Sequence, residues 1–215
     1  MTEVNDIINT VICGDCLPIL RSLPDRCIKL VFADPPYNFG VKYGICQDNL
    51  PRDEYIAWCK EWFTEIRRIS DRTIITPGHG NMWMWGAEIE KPFGTGCWYK
   101  PGNVASSMLG WCCWEPWLYY TNDKKILGGP DSFRITVTKQ QDTGDHPCPK
   151  PLTLLRELIK KTTKEDDIVL DPFSGSGTTL LAAKILKRKY IGFDLEPRFV
   201  EHSQRRLNAM IDIFE

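Results

Sequence analysis

Four aspartates stand at or just past the ends of apolar runs: Asp15, Asp34, Asp171 and Asp194. Two of them belong to stretches that could do chemistry. The first is Asp34-Pro35-Pro36-Tyr37, after the run 28–33. The prolines cannot donate to a strand ladder, so an acid, two rigid residues and an aromatic are fixed at a strand tip. Asp34 offers a carboxylate acceptor, Pro35 a carbonyl of set direction, and Tyr37 a flat face. That set suits a planar group carrying an NH2, such as a nucleobase. The second stretch is Asp171-Pro172-Phe173-Ser174-Gly175-Ser176-Gly177-Thr178-Thr179, between an apolar strand pattern and a helix pattern. Its small residues let a ligand approach the backbone. No lysine follows the glycines, and Leu180 stands where a dinucleotide loop has its third glycine, so ATP and NAD are disfavoured. Asp194 lies about 20 residues on, where an acid commonly holds ribose hydroxyls. A nucleoside without pyrophosphate is expected. S-adenosylmethionine fits, because acids beside its cationic sulfonium help rather than harm.

The elements that must position these residues alternate between strand and helix. Strands are expected over 7–13, 28–33, 72–76, 97–100, 117–121, 168–170 and 190–193. Helices are expected over 17–23, from Pro51, over 152–161, after Thr179 and from Pro197. In the second helix, Tyr55, Cys59, Trp62, Ile66 and Ile69 recur at one-face spacing and should be core. In the last, Phe199, Val200, Leu207 and Met210 are the inward set. The segment 81–120 holds Trp83, Trp85, Trp98, Trp111, Trp114 and Trp117. These could stack on bases, yet most should be ordinary core. Residues 121–145 are polar, with Lys124, Lys125, Arg134 and Lys139, and read as a loop that could reach a partner. Residues 40–49 form a glycine-bearing loop that could close over a substrate.

A chain of 215 residues suggests one domain with at most a small insertion. Its net charge of −1 excludes nucleic-acid binding by a global positive field and asks for a local basic patch. The polar, acidic segment 1–6 does not read as a secretory signal, and no apolar run approaches membrane-spanning length. Nine cysteines without such a signal read as free thiols in a reducing compartment. Cys13-x-x-Cys16 has ligand spacing but no partner pair, so no metal is expected.

Taken together, these stretches resemble the amino-methyltransferases of DNA that act on adenine N6 or cytosine N4. The order, D-P-P-Y first and glycine loop last, resembles the permuted beta class over nearly the whole chain. Ile12-Cys13-Gly14-Asp15-Cys16 looks like its N-terminal element. Trp98-Tyr99-Lys100 and Trp114-Glu115 look like its W-x-K and later Glu. His146-Pro147-Cys148-Pro149-Lys150-Pro151 looks like its H-P-x-x-K-P motif, and Ile191-Gly192-Phe193-Asp194 like its next strand.

The resemblance implies an α/β Rossmann-like fold, circularly permuted, with a mostly parallel seven-stranded sheet and helices on both faces. It implies a single methyltransferase domain over 1–215, with 121–145 as a short target-recognition segment. S-adenosylmethionine would lie against Asp15, Cys16, Asp34, the run Asp171, Pro172, Phe173, Ser174, Gly175, Ser176, Gly177 and Thr178, and Asp194 with Leu195. His146 and Lys150 would close over its methionine end. Asp34 and Pro35 would accept from the target amine, Pro36 would stiffen the turn, and Tyr37 would stack on a flipped base. Asn38, Lys100, Lys124, Lys125, Arg134 and Lys139 are the expected DNA contacts. The partner implied is DNA, in the cytoplasm of a prokaryotic or phage-type source, within a restriction-modification setting. The short recognition interval leaves selectivity to a partner or a homodimer. Asp rather than Ser at position 34 favours adenine N6. The rivals are N4-cytosine methylation, methylation of RNA or of a protein glutamine amide, and a module that only binds nucleic acid.

Overall fold

The computed structural model describes residues 3–41, 44–45, 48–102, 106–107, 110–124, 127–136 and 149–209. The chain opens with a 3-10 turn, Val4–Ile7. Asn9 then takes a left-handed φ of 60°. An extended ladder cannot pass through that conformation, so the strand expected over 7–13 is shortened. It is β1, Thr10–Cys13. Next come helix α1, Leu17–Ser22, and β2, Ile28–Ala33. Pro51 caps the long α2, Arg52–Ile69, and β3 follows at once, Ser70–Ile75. A short turn of helix, α3, Met82–Met84, runs on as a π turn, Trp85–Ile89. Five strands follow: β4, Gly94–Tyr99; β5, Ser106–Ser107; β6, Gly110–Trp111; β7, Trp114–Thr121; and β8, Ser132–Arg134. The C-terminal part is α4, Leu152–Thr162; β9, Ile168–Asp171; α5, Thr178–Ile185; β10, Lys189–Asp194; and α6, Pro197–Ala209.

The main sheet has the order β1-β10-β9-β2-β3-β7-β4-β8, with β5 and β6 forming a separate hairpin. It has eight strands rather than the expected seven. The extra strand is β8, drawn from the polar segment and paired parallel to β4 at the edge. Three residues are too few to show a strand period in the sequence. Only β7 runs antiparallel to its neighbours, β3 and β4.

The order of the sheet locates its cleft. From β9 the chain passes through α5 to β10 on one side; from β2 it passes through α2 to β3 on the other. The connections diverge between two adjacent parallel strands, β9 and β2. At such a switch point the loops leave a crevice at the carboxyl ends.

Helices cover both faces. The core on one face is built from α4, α5 and α6, with Leu155, Leu158, Leu180 and Leu207 buried. The other is built from α1, α2 and the π turn, and takes in Tyr55, Cys59, Trp62, Ile66 and Ile69. Met210 lies outside the described residues. The tryptophans of 81–120 divide differently from the expectation that most are core. Trp85, Trp98 and Trp117 are buried, whereas Trp83 and Trp111 are 77% and 74% exposed. Trp111 sits on the separate hairpin, beyond the reach of either core. Among the described residues no helix is long and apolar enough to cross a membrane.

Candidate active site

The crevice is a cleft of about 290 Å³ at the carboxyl ends of β1, β2, β9 and β10. All four strand-tip aspartates line it: Asp15, Asp34, Asp171 and Asp194.

One half is built by the glycine loop. Its backbone folds back because Gly175 and Gly177 take φ of 49° and 75°. Asp194 ties the loop to the neighbouring strand. Its Oδ2 accepts the Gly175 N–H at 2.8 Å and its Oδ1 the Glu196 N–H at 2.8 Å. Ser174 is held by the Phe193 carbonyl, from its N–H at 2.8 Å and its hydroxyl at 3.0 Å. Gly177 is absent from the lining. It caps α5, and a Cβ there would stand 2.6 Å from the Ser203 hydroxyl. Its glycine thus serves the packing of α6, where the sequence suggested closeness to a ligand.

Asp171 is the notable charge of this half. It is 2% exposed, and its Oδ1 accepts the Phe173 N–H at 2.9 Å. Burial pushes its carboxyl up to about 7, with Asp34 and Asp194 adding repulsion against the donors Thr179 and Phe173. Burial also raises Asp194. The thiol of Cys16, buried beside them, is pushed up to about 12 by the same cause and stays protonated. Among the described residues no cation pairs with Asp171 to offset its burial. A ligand bringing positive charge would supply it, whereas a pyrophosphate would worsen the repulsion. Phe173, Trp58 and Phe199 add aromatic walls, and Pro172, Ser176, Thr178 and Leu195 complete this side.

The other half is built around Asp34. The Thr76 N–H bonds the Ala33 carbonyl at 3.0 Å, which carries the β2–β3 pairing one residue past the end of β3. The Thr76 hydroxyl then donates to Asp34 Oδ1 at 2.5 Å. The Tyr37 hydroxyl reaches the same oxygen at 2.7 Å and Glu115 Oε1 at 3.0 Å. Gly78, with φ 72°, lies under the Tyr37 ring; a Cβ there would stand 2.8 Å from it. Tyr55 donates to the Pro36 carbonyl at 2.8 Å, fixing the turn from α2. Among the described residues no donor hydrogen-bonds the Pro35 carbonyl, so it is open to a ligand.

Lys150 sits at the centre of this half. It is 7% exposed and donates to Asp34 Oδ1 at 2.8 Å, to Oδ2 at 2.7 Å and to the Tyr37 hydroxyl at 3.0 Å. Its ammonium is also 2.9 Å from Glu115 Oε1. Glu115 pairs further with Lys100, which lies over the Trp98 ring. Burial would raise Glu115 and lower Lys150, but their opposite charges outweigh it. Glu115 falls to about 2 and Lys150 rises well above its ordinary value. Burial, then the nearby carboxylates, pushes the Tyr37 hydroxyl well above its usual range.

Several expected sites differ. Lys150 was expected over a methionine end; in the structure its ammonium lies between Asp34 and Glu115, drawn there by the two carboxylates. Lys100 is not presented to a phosphate. It turns inward to Glu115, the nearest buried acid. Asn38 is likewise structural. Its amide spans the loop, donating to the Leu50 carbonyl at 2.8 Å and accepting from the Leu50 N–H at 2.6 Å. Lys124 and Arg134 are exposed. His146, Lys125 and Lys139 lie outside the described residues. Thr76 and Gly78 gave no sequence signal beyond standing at a strand end and a Pro-Gly turn. Glu115 was visible only as part of a family pattern.

A model of the DNA methylase family matches residues 28–104 and 76–205. M2.MboI of Moraxella bovis, a type II methyltransferase, is 30% identical over 94% of this chain and 88% of its own. M.HinfI of Haemophilus influenzae, also type II, is 27% identical over 97% and 70%. YhdJ of Escherichia coli strain K12, a DNA adenine methyltransferase, is 26% identical over 97% and 85%. Among solved structures, PvuII DNA methyltransferase (cytosine-N4-specific) superposes with a TM-score of 0.71 at 21% identity, covering 91% of this chain and 85% of its own. The M1.HpyAVI–SAM complex gives a TM-score of 0.69 at 22% identity, covering 93% and 98%.

Proposed function

The chain belongs to the DNA methylase family, and from that premise we propose that its target is the N6 amine of adenine in DNA, taken out of the helix. It is a methyltransferase of DNA whose methyl donor is S-adenosylmethionine. One observation carries the finer reading. Asp171, an acid short of a cation, and Asp34, an acid with an open carbonyl beside it, face the same cleft.

The residues present fit the donor. Asp171 would meet its positive charge; Asp15 and Asp194 would serve its adenine and ribose ends; Phe173 and Trp58 offer flat apolar walls. When bound, the donor supplies an electrophilic methyl group. Asp34 and the Pro35 carbonyl would accept the two amine hydrogens. That draws the nitrogen out of conjugation with the ring and turns its lone pair toward the methyl group. Fixing both reactants this way is worth up to about 7–11 kcal/mol in favourable cases. The Tyr37 face would receive the base and offset part of the few kcal/mol that flipping costs. Direct in-line displacement needs no enzyme nucleophile.

An aspartate at position 34 supports adenine over cytosine, and the E. coli relative is named for adenine. Lys124 and Arg134 are the exposed cations proposed for the DNA backbone. A homodimer is the proposed source of added selectivity, to be tested by mass in solution with and without DNA. The central experiment is methyl transfer to DNA, RNA and protein in parallel, with the product nucleoside identified by mass spectrometry. N6-methyladenine in DNA is expected; N4-methylcytosine would reassign the base. Asp34→Ala should abolish transfer while donor binding, read by calorimetry, is largely kept. Transfer at the normal rate would remove Asp34 from the site.

A further inference from the structure

Lys150 does to Asp34 what the target amine is expected to do. It donates to both carboxylate oxygens, at 2.8 and 2.7 Å. The two oxygens are otherwise unequal. Oδ1 keeps two further donors, Thr76 at 2.5 Å and Tyr37 at 2.7 Å. Among the described residues Oδ2 has Lys150 alone. Withdrawing the ammonium would therefore bare Oδ2 while Oδ1 kept the carboxylate in place.

The ammonium has somewhere to go. An ammonium has three hydrogens. Among the described residues, those of Lys150 face the two Asp34 oxygens, the Tyr37 hydroxyl at 3.0 Å and Glu115 Oε1 at 2.9 Å. Leaving Asp34 still keeps two of them. The lysine stem is flexible, so a small rotation toward Glu115 suffices. Asp34 and Glu115 carry two negative charges; Lys150 and Lys100 carry two positive ones. The shift leaves that local sum unchanged, so no buried charge is stranded.

We propose that Lys150 is a placeholder for the target amine, and that Glu115 is the positioning residue that receives its ammonium when the amine reaches Asp34. This rests on the methyltransferase reading above. Without Glu115, Asp34 would be the lysine's one carboxylate partner among the described residues, and the amine would compete against a full ion pair.

The test uses the full chain, tritiated S-adenosylmethionine and unmethylated plasmid DNA. The wild type is measured first, since failure of the wild type to methylate DNA would remove the underlying reading. With an active wild type, Glu115→Gln is expected to lower kcat at least about tenfold, the scale of a charged hydrogen bond. Donor affinity, by calorimetry, should be unchanged. The double variant Glu115→Gln with Lys150→Met removes the competitor and restores local neutrality, so it should be faster than Glu115→Gln. Glu115→Gln at the wild-type rate, or a double variant no faster than the single, would overturn the proposal. Should Glu115→Gln not fold, Glu115→Asp keeps the charge but withdraws it by one methylene. It is expected to give the same split of kcat from donor affinity, and a wild-type rate there counts against the proposal equally.

Discussion

Asp171 ties the electrostatics of the cleft to pH. Burial pushes its carboxyl up to about 7, well above an ordinary carboxylate. The folded state then keeps a proton that the unfolded chain releases at lower pH. The contribution of this group to stability is therefore full at acid pH and is lost as pH rises toward about 7. A cationic donor reverses the preference, because it favours the ionised acid. Donor binding is expected to tighten from pH 6 to pH 8, and Asp171→Asn should flatten that profile and weaken binding. Calorimetry at both pH values reads the two effects. An Asp171→Asn profile as steep as the wild type would assign the pH dependence elsewhere.

At the scale of elements, two glycines hold neighbouring pieces in register. Gly78 follows β3 with a left-handed φ of 72°, directly beneath the Tyr37 ring. Gly78→Ala meets a left-handed cost of about 1–2 kcal/mol and pushes on the ring as well. A lower melting temperature is expected, with a larger loss in kcat than in donor affinity, since Tyr37 serves the Asp34 half. Gly177, with φ 75°, separates α5 from Ser203 on α6. Gly177→Ala should cost similar stability but act on the donor half, so donor affinity should fall. Equal effects of both variants on donor affinity would contradict this division of the cleft. Element ends were legible where proline or glycine chemistry is local, as at Pro51 and Pro197. The start of β1 was not, because the left-handed Asn9 sits inside an apolar run.

For the whole molecule, a net charge of −1 leaves little long-range attraction to DNA. The inward turn of Lys100 subtracts another expected contact. Arg134 lies on β8, at the edge of the sheet, and Lys124 follows the end of β7. Arg134→Ala is expected to weaken DNA binding alike for all sequences and to reduce the salt slope by about 1. Binding titrations at several salt concentrations measure this, and an unchanged slope would remove Arg134 from the DNA-facing surface.

The sequence by itself determined the strand-tip acids, the glycine loop and the layered α/β order. Each depends on local rules: apolar period, proline at a ladder's end, glycine in a turn. The resemblance it carried pointed to the family. Only the tertiary structure decided how Asp34 is held. Lys150 is 116 residues away in the chain, Glu115 is 81 residues beyond Asp34, and Thr76 is 42 beyond it. Their meeting follows from β2 lying between β9 and β3, with β7 next to β3. Which buried charge pairs with which is set by that strand order, and no spacing along the chain encodes it.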